Sequence, residues 1–111
     1  MKVKLTPSVE FLRQLKRLSK KYRSMGADYL ALKESLMKNP FRGDDLGGGV
    51  RKIRMAISSK GKGRSGGARV LTLNVLVCGD ADVTLLTIYD KNEIDSVSDE
   101  YIKWLVSEAR K

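Results

Sequence analysis

The chain has 111 residues, with 22 Lys+Arg against 13 Asp+Glu, a formal net charge of +9, one Cys and no His. That length holds a single domain, residues 1–111, and a hydrophobic content of 41% with only two Pro argues for a folded core rather than a basic disordered tail. The missing histidines exclude Ser-His-Asp and Cys-His nucleophiles, His-containing zinc sites and paired-histidine nucleases, and a lone Cys excludes both an all-Cys metal site and an internal disulfide.

Acid–base chemistry is therefore left to Lys, Tyr, Asp or Glu. The surplus charge attracts polyanions, chiefly nucleic acid, or anionic lipid surfaces. The longest uninterrupted apolar run, Val75-Leu76-Val77-Cys78, is too short for a membrane span or a signal-peptide core, so no membrane association is expected. With no disulfide to suggest secretion, the expected location is the cytoplasm. The charge is segregated. Arg13 to Arg23 holds six basic residues and no acid, and Val50 to Val70 holds seven and no acid. From Gly79 onward eight acids face four bases.

Met1–Leu5 alternates apolar Val3 and Leu5 with Lys2 and Lys4, the pattern of a first strand. Thr6-Pro7 then has the signature of an N-cap followed by Pro at the first helical position. Phe11, Leu15, Leu18 and Tyr22 form one apolar helical stripe, with Arg13, Lys16, Arg17, Lys20 and Lys21 mostly off it. Met25, Tyr29, Leu32 and Leu36 form the stripe of a second helix, which stops at Asn39-Pro40. The two are close enough in sequence to form a hairpin.

Phe41 to Gly49 has the composition of a loop, most flexible at Gly47-Gly48-Gly49. In the next strand Ile53, Met55 and Ile57 share one face, and Lys52 and Arg54 the other. Ser58 to Gly67 is a glycine-rich basic loop, and Ala68 to Cys78 a central strand with Cys78 as a small apolar member. Gly79-Asp80-Ala81 is the expected hairpin turn, Asp82 to Tyr89 the last strand, and Asp90 to Val97 irregular. A final helix, Asp99–Arg110, is capped by Ser96 or Ser98 and buries Ile102, Leu105, Val106 and Ala109. Trp104 on it is core or a contact for a partner chain. The expected fold is α+β: an N-terminal strand, a two-helix hairpin on one face of a mainly antiparallel sheet of about four strands, and a C-terminal helix.

Gly61-Lys62-Gly63-Arg64-Ser65-Gly66 fits G-x-G-x-x-G, but a strand follows it, so it is not a dinucleotide fingerprint. It is a loop whose lysines can approach a phosphate backbone. Lys52, Arg54, Arg69 and the segment Tyr89-Asp90-Lys91 can meet on one sheet surface. Arg69 shares parity with Leu71, Leu73 and Val75, which read as core-facing; a bulge at the start of its strand, or a strong twist, would turn it to the cationic side, though the sequence itself shows no bulge. Asp44-Asp45 and Asp80-x-Asp82 read as turn acids, and neither a metal nor a cofactor is expected.

Taken together, Leu46-Gly-Gly-Gly-Val-Arg-Lys-Ile-Arg, the Lys60-Gly-Lys-Gly loop, Gly66-Gly-Ala-Arg-Val and Leu85-Leu-Thr-Ile-Tyr-Asp-Lys-Asn-Glu93 resemble the RelE/HigB branch of the RelE/ParE toxin superfamily. The resemblance runs along essentially the whole chain. It implies a type II toxin–antitoxin toxin that enters the ribosomal A site and cuts mRNA without metal. The ribose 2′-OH attacks the adjacent phosphate, leaving a cyclic phosphate and a 5′-OH. A cognate antitoxin is the implied protein partner.

On this resemblance Arg54 is the strand cation and Arg69 the phosphate-stabilising arginine that opens the next strand. Lys60 and Lys62 are the loop lysines. Tyr89 and Lys91 match a Tyr-x-Lys-x-Glu segment ordered by Glu93. The implied roles are activation of the 2′-OH by Lys60 or Lys62, phosphate binding by Arg54 and Arg69, and assistance from Tyr89 or Lys91. Lys52, Arg64, Arg13, Lys16, Arg17 and Lys20 are the expected RNA and ribosome contacts. Relative to RelE itself, Ala56 stands in place of a strand lysine, Asn92 in place of an arginine, and Ser98 roughly where a late tyrosine falls. The competing readings are a ParE-like inhibitor of DNA gyrase and a plain basic RNA-binding module.

Overall fold

Val3–Pro7 forms strand β1 in the computed structural model, which describes residues 1–111. Pro7 ends this edge strand instead of opening the helix, because at a strand end its missing N–H breaks no ladder bond. The N-cap is Ser8, not Thr6. Its Oγ accepts from the Phe11 N–H at 3.0 Å and donates to the Leu86 carbonyl at 2.9 Å, joining helix start to sheet. Helix α1 follows, Val9–Lys21, and helix α2 spans Met25–Lys38.

The segment expected to be a loop contains strand β2, Asp44–Gly47, which pairs antiparallel with β3, Val50–Met55. Gly48-Gly49 is the turn of this hairpin, and Gly47, Gly48 and Gly49 all have positive φ (88°, 62° and 85°), a conformation that side chains disfavour. β3 stops at Met55, so Ile57 lies beyond the strand, although it is buried. Ser58–Lys60 makes one 3-10 turn. β4 covers Ala68–Val77, β5 covers Asp80–Asp90, and helix α3 covers Asp99–Ala109 with Ser98 as its N-cap.

The sheet has five strands rather than four, in the order β1-β5-β4-β3-β2. All neighbours are antiparallel except β1, which runs parallel to β5. Both faces are covered, and this resolves the parity of Arg69. The α1/α2 hairpin covers one face, over Ile53, Met55, Val70, Leu85 and Ile88. Helix α3 covers part of the other, over Val50, Leu71, Leu73, Leu86 and Tyr89. Arg69 shares the second face with Leu71 and Leu73, so no bulge is needed at the start of β4. The bulge lies in β5, where Leu86 is the extra residue between Leu85, opposite Thr72, and Thr87, opposite Leu71. Leu85 lies in one core and Leu86 in the other, and the bulge keeps Thr87 on the same face as Leu86, where its hydroxyl meets that of Tyr101.

Both helical stripes are buried as the spacing requires: Phe11 and Leu18 on α1, and Met25, Leu32 and Leu36 on α2, with Leu15, Tyr22 and Tyr29 packed against them. On α3 only Leu105 is fully buried. Trp104 is 45% exposed and stacks on Tyr101 at 5.9 Å, so it is not a core residue. No helix is long and apolar enough to cross a membrane.

The β4–β5 turn is Cys78-Gly79, one residue earlier than expected, and both residues have positive φ, 51° and 82°. A two-residue hairpin turn of the I′ kind requires this, and Asn-Gly suits it best. Cys78 is therefore an exposed turn residue held in a left-handed conformation, not a strand residue. Cys78→Asn is expected to raise stability by up to about 1 kcal/mol by relieving that conformation, read as a higher urea midpoint at unchanged m.

Candidate nucleic-acid interface

On the α3 side of the sheet, Arg54 of β3 lies directly opposite Arg69 of β4, and Arg69 directly opposite Tyr89 of β5. Opposed residues stand about 5 Å apart, so the three side chains form one row across three strands. Lys52 is two residues before Arg54 on the same face, opposite Leu71. Helix α3 covers the apolar part of this face and leaves the Lys52–Arg54 end to the loops.

Arg69 is 5% exposed and makes no salt bridge. Its guanidinium donates to the carbonyls of Arg64 at 3.1 Å, Ser65 at 3.2 Å and Ala68 at 3.2 Å. Carbonyl dipoles satisfy its N–H groups without cancelling its charge, so it shapes the basic loop and gives the floor of the face a positive potential. Burial pushes the Tyr89 phenol above its ordinary value; Arg69 opposes the rise and Asp95 adds to it. Tyr89, 4% exposed, therefore keeps its proton at neutral pH.

An open cleft of about 560 Å³ lies beside this row, lined by Arg42, Gly43, Asp44, Lys52, Ile53, Arg54, Arg64 and Ser65. Arg42, which the sequence reading passed over inside a loop, is anchored by Ser35 Oγ of α2 at 2.9 Å and by the Arg54 carbonyl at 3.5 Å. Pro40 and Gly43, close by in the chain, gave only a turn signal, and nothing local marked the arginine as part of a site.

Lys60 does not belong to this surface. It is held on the α1/α2 side of the sheet, where its Nζ donates to Asp90 Oδ1 at 2.8 Å and to the Gly66 carbonyl at 3.0 Å and sits 5.2 Å from the centre of the Tyr22 ring. Burial pushes the Asp90 carboxyl up, but hydrogen bonds from Lys60, the Tyr22 hydroxyl and the Asn92 N–H outweigh it and hold the carboxyl below its ordinary range. This is a buried structural ion pair with a side-chain exposure of 8% for Lys60 and 0% for Asp90. Lys62 is exposed on the loop, its stem lying along Gly66, where a Cβ would come within 2.6 Å of it. Lys91 is half-buried, and its N–H bonds to the Gly67 carbonyl at 3.1 Å.

The α1 cations lie across the sheet from the row. Arg13 pairs with Glu10 at 2.5 Å, and Arg17 pairs with Glu93 at 3.0 Å. Glu93, expected to order the Tyr-x-Lys-x-Glu segment, also meets Lys21 at 3.4 Å and so fastens that segment to α1. Lys16 and Lys20 are exposed and unpaired. A second anchor escaped the sequence reading: buried Asp28 accepts from the Ser58 N–H at 2.9 Å and the Ser58 hydroxyl at 2.5 Å, tying the basic loop to α2. No three Cys, Asp or Glu side chains gather as a metal-binding group.

The row can thus neutralise phosphate charge through Arg54 over the buried Arg69 cation, and Lys52 and Arg64 extend the positive surface into the cleft. A scan of the sequence against protein-family models finds no match.

Proposed function

We propose that the protein is a RelE/HigB-like toxin of a type II toxin–antitoxin module, an endoribonuclease that cuts mRNA in the ribosomal A site. The single observation that carries this reading is the Arg54–Arg69–Tyr89 row, which unites in space three residues that the resemblance singles out from separate strands. Arg54 takes the non-bridging oxygens of the scissile phosphate, and the buried Arg69 cation beneath stabilises the charge that grows there as the 2′-OH attacks. Tyr89 gives its proton to the departing 5′-oxygen. Lys62, the loop lysine free of the Asp90 pair, and Lys91 are the amines available to assist the 2′-OH, and Lys60 is withdrawn from that role. Lys16 and Lys20 are the α1 cations with no internal partner and so the ones open to ribosomal RNA. The RelE-like fold, the cytoplasmic location and an antitoxin partner belong to the same proposal.

Tyr89→Phe removes the donated proton but keeps the ring in the α3-side core. It is expected to lower the single-turnover cleavage rate by about 10²–10⁴-fold with little change in melting temperature. The whole reading is tested by induced expression: growth arrest with loss of translated mRNA supports it. Gyrase-linked DNA breaks would point to the ParE-like alternative, and harmless RNA binding to a plain binding module.

A further inference from the structure

The cleft beside the row contains more positive charge than one scissile phosphate needs. Arg42, Lys52, Arg54 and Arg64 line it with a single acid, Asp44, leaving an excess of three positive charges. Asp44 lies opposite Lys52 in the β2–β3 pair, yet no salt bridge joins them, nor does any ion pair engage Arg42 or Arg64. Arg42 is preorganised: Ser35 and the Arg54 carbonyl fix its guanidinium while leaving further N–H groups free. Ile53 is the only apolar lining residue and no aromatic is present, so the cleft offers nothing for a base to stack on. A site of this composition takes a phosphodiester backbone and is indifferent to base identity.

We propose that Arg42, Lys52 and Arg64 form a second phosphate subsite that holds a neighbouring phosphate of the strand whose scissile phosphate lies on the Arg54–Arg69–Tyr89 row. The inference rests on the RNase reading for its substrate, but its geometry stands independently. Arg54 links the two subsites, since it belongs both to the row and to the cleft wall. Arg69 links them from beneath, because it holds the Arg64 and Ser65 carbonyls that carry the Arg64 side chain over the cleft. A strand with one phosphate fills only the row. Longer strands gain affinity from the cleft.

The test uses the full chain and NMR shift titrations at fixed salt with 2′-O-methyl oligoribonucleotides, which cannot be cut. One ligand is a dinucleotide with a single phosphodiester and the other a tetranucleotide. The wild type is expected to bind the tetranucleotide at least about tenfold more tightly. Arg42→Gln is expected to lose about tenfold for the tetranucleotide and nothing for the dinucleotide. Its salt slope should also fall by about 0.7, one single-strand phosphate contact. Arg64→Gln, on an exposed loop, is the second variant if Arg42→Gln melts early, and the same selective loss is expected. A deoxytetranucleotide should show the same gain, because the subsite reads phosphate and not the 2′-OH. Equal tetranucleotide affinity and equal salt slope in wild type and variants would overturn the subsite. So would a loss of the same size with the dinucleotide. If the variants lose the tetranucleotide while the wild type leaves ribosome-bound mRNA intact, the subsite stands and the RNase reading falls.

Discussion

Lys60→Met is expected to destabilise the domain by about 3–5 kcal/mol, lowering the melting temperature by on the order of 10–20 °C. The substitution leaves the Asp90 carboxylate fully buried with one cation fewer; Lys21, the other nearby amine, is at 3.9 Å and 53% exposed. It also frees the Gly66 carbonyl. The double variant Lys60→Met/Asp90→Asn removes both charges together and is expected to recover most of the lost stability, which a double-mutant cycle by urea unfolding measures directly. Its cleavage rate per folded molecule should stay close to wild type, because the pair lies across the sheet from the Arg54–Arg69–Tyr89 row. A rate loss of 100-fold or more in the recovered double variant would return Lys60 to the chemistry.

The same pair sets an acid limb. Asp90 titrates lower when folded than when unfolded, so its stabilisation is complete above the ordinary carboxylate value of 3.8 and is lost as pH falls through the lower folded value. Asp90→Asn should therefore flatten the stability curve below about pH 4. At neutral pH it should still cost stability, because Lys60 is left buried without its anion.

Arg69→Ala is expected to lower the cleavage rate by about 10²–10³-fold and to abolish toxicity on expression. Two losses combine: the phosphate loses its buried cation, and the Arg64, Ser65 and Ala68 carbonyls lose their donor. Orphaning those carbonyls costs about 1–3 kcal/mol and loosens the loop. Arg69→Lys keeps the charge but not the fork that spans the three carbonyls, so it should recover only part of the rate. The recovered Lys60/Asp90 double variant is the control for loop disturbance without loss of the phosphate cation. Full activity in Arg69→Ala would remove Arg69 from the site.

Local patterning carried much of the fold. The four-three-four spacing on α1 and α2 sets an apolar stripe whatever else happens, and β4 and β5 are apolar enough to be strands in any context. What escaped depends on partners distant in sequence. Asp44–Gly47 has turn composition and becomes a strand only because β3 lies alongside it. Pro7 fits a helix start and a strand end equally well, and the choice was made by β5. The site divided in the same way. Arg54, Arg69 and Tyr89 were legible as strand residues of known parity. Lys60 was not, because a loop has no parity, and the residue that captures it is thirty positions away in Asp90. Arg69 looked misplaced only on the assumption of one apolar face. Once α3 covers the other side, leucines and arginines share a surface.

The most direct test is cleavage of mRNA on programmed ribosomes by the purified protein, with the cut mapped by primer extension and the ends identified chemically. The expected result is a cut inside the A-site codon that leaves a 2′,3′-cyclic phosphate and a 5′-OH, reduced by about 10²–10³-fold in Arg69→Ala. Intact mRNA with a correctly folded protein, or fragments bearing a 5′-phosphate, would contradict the account.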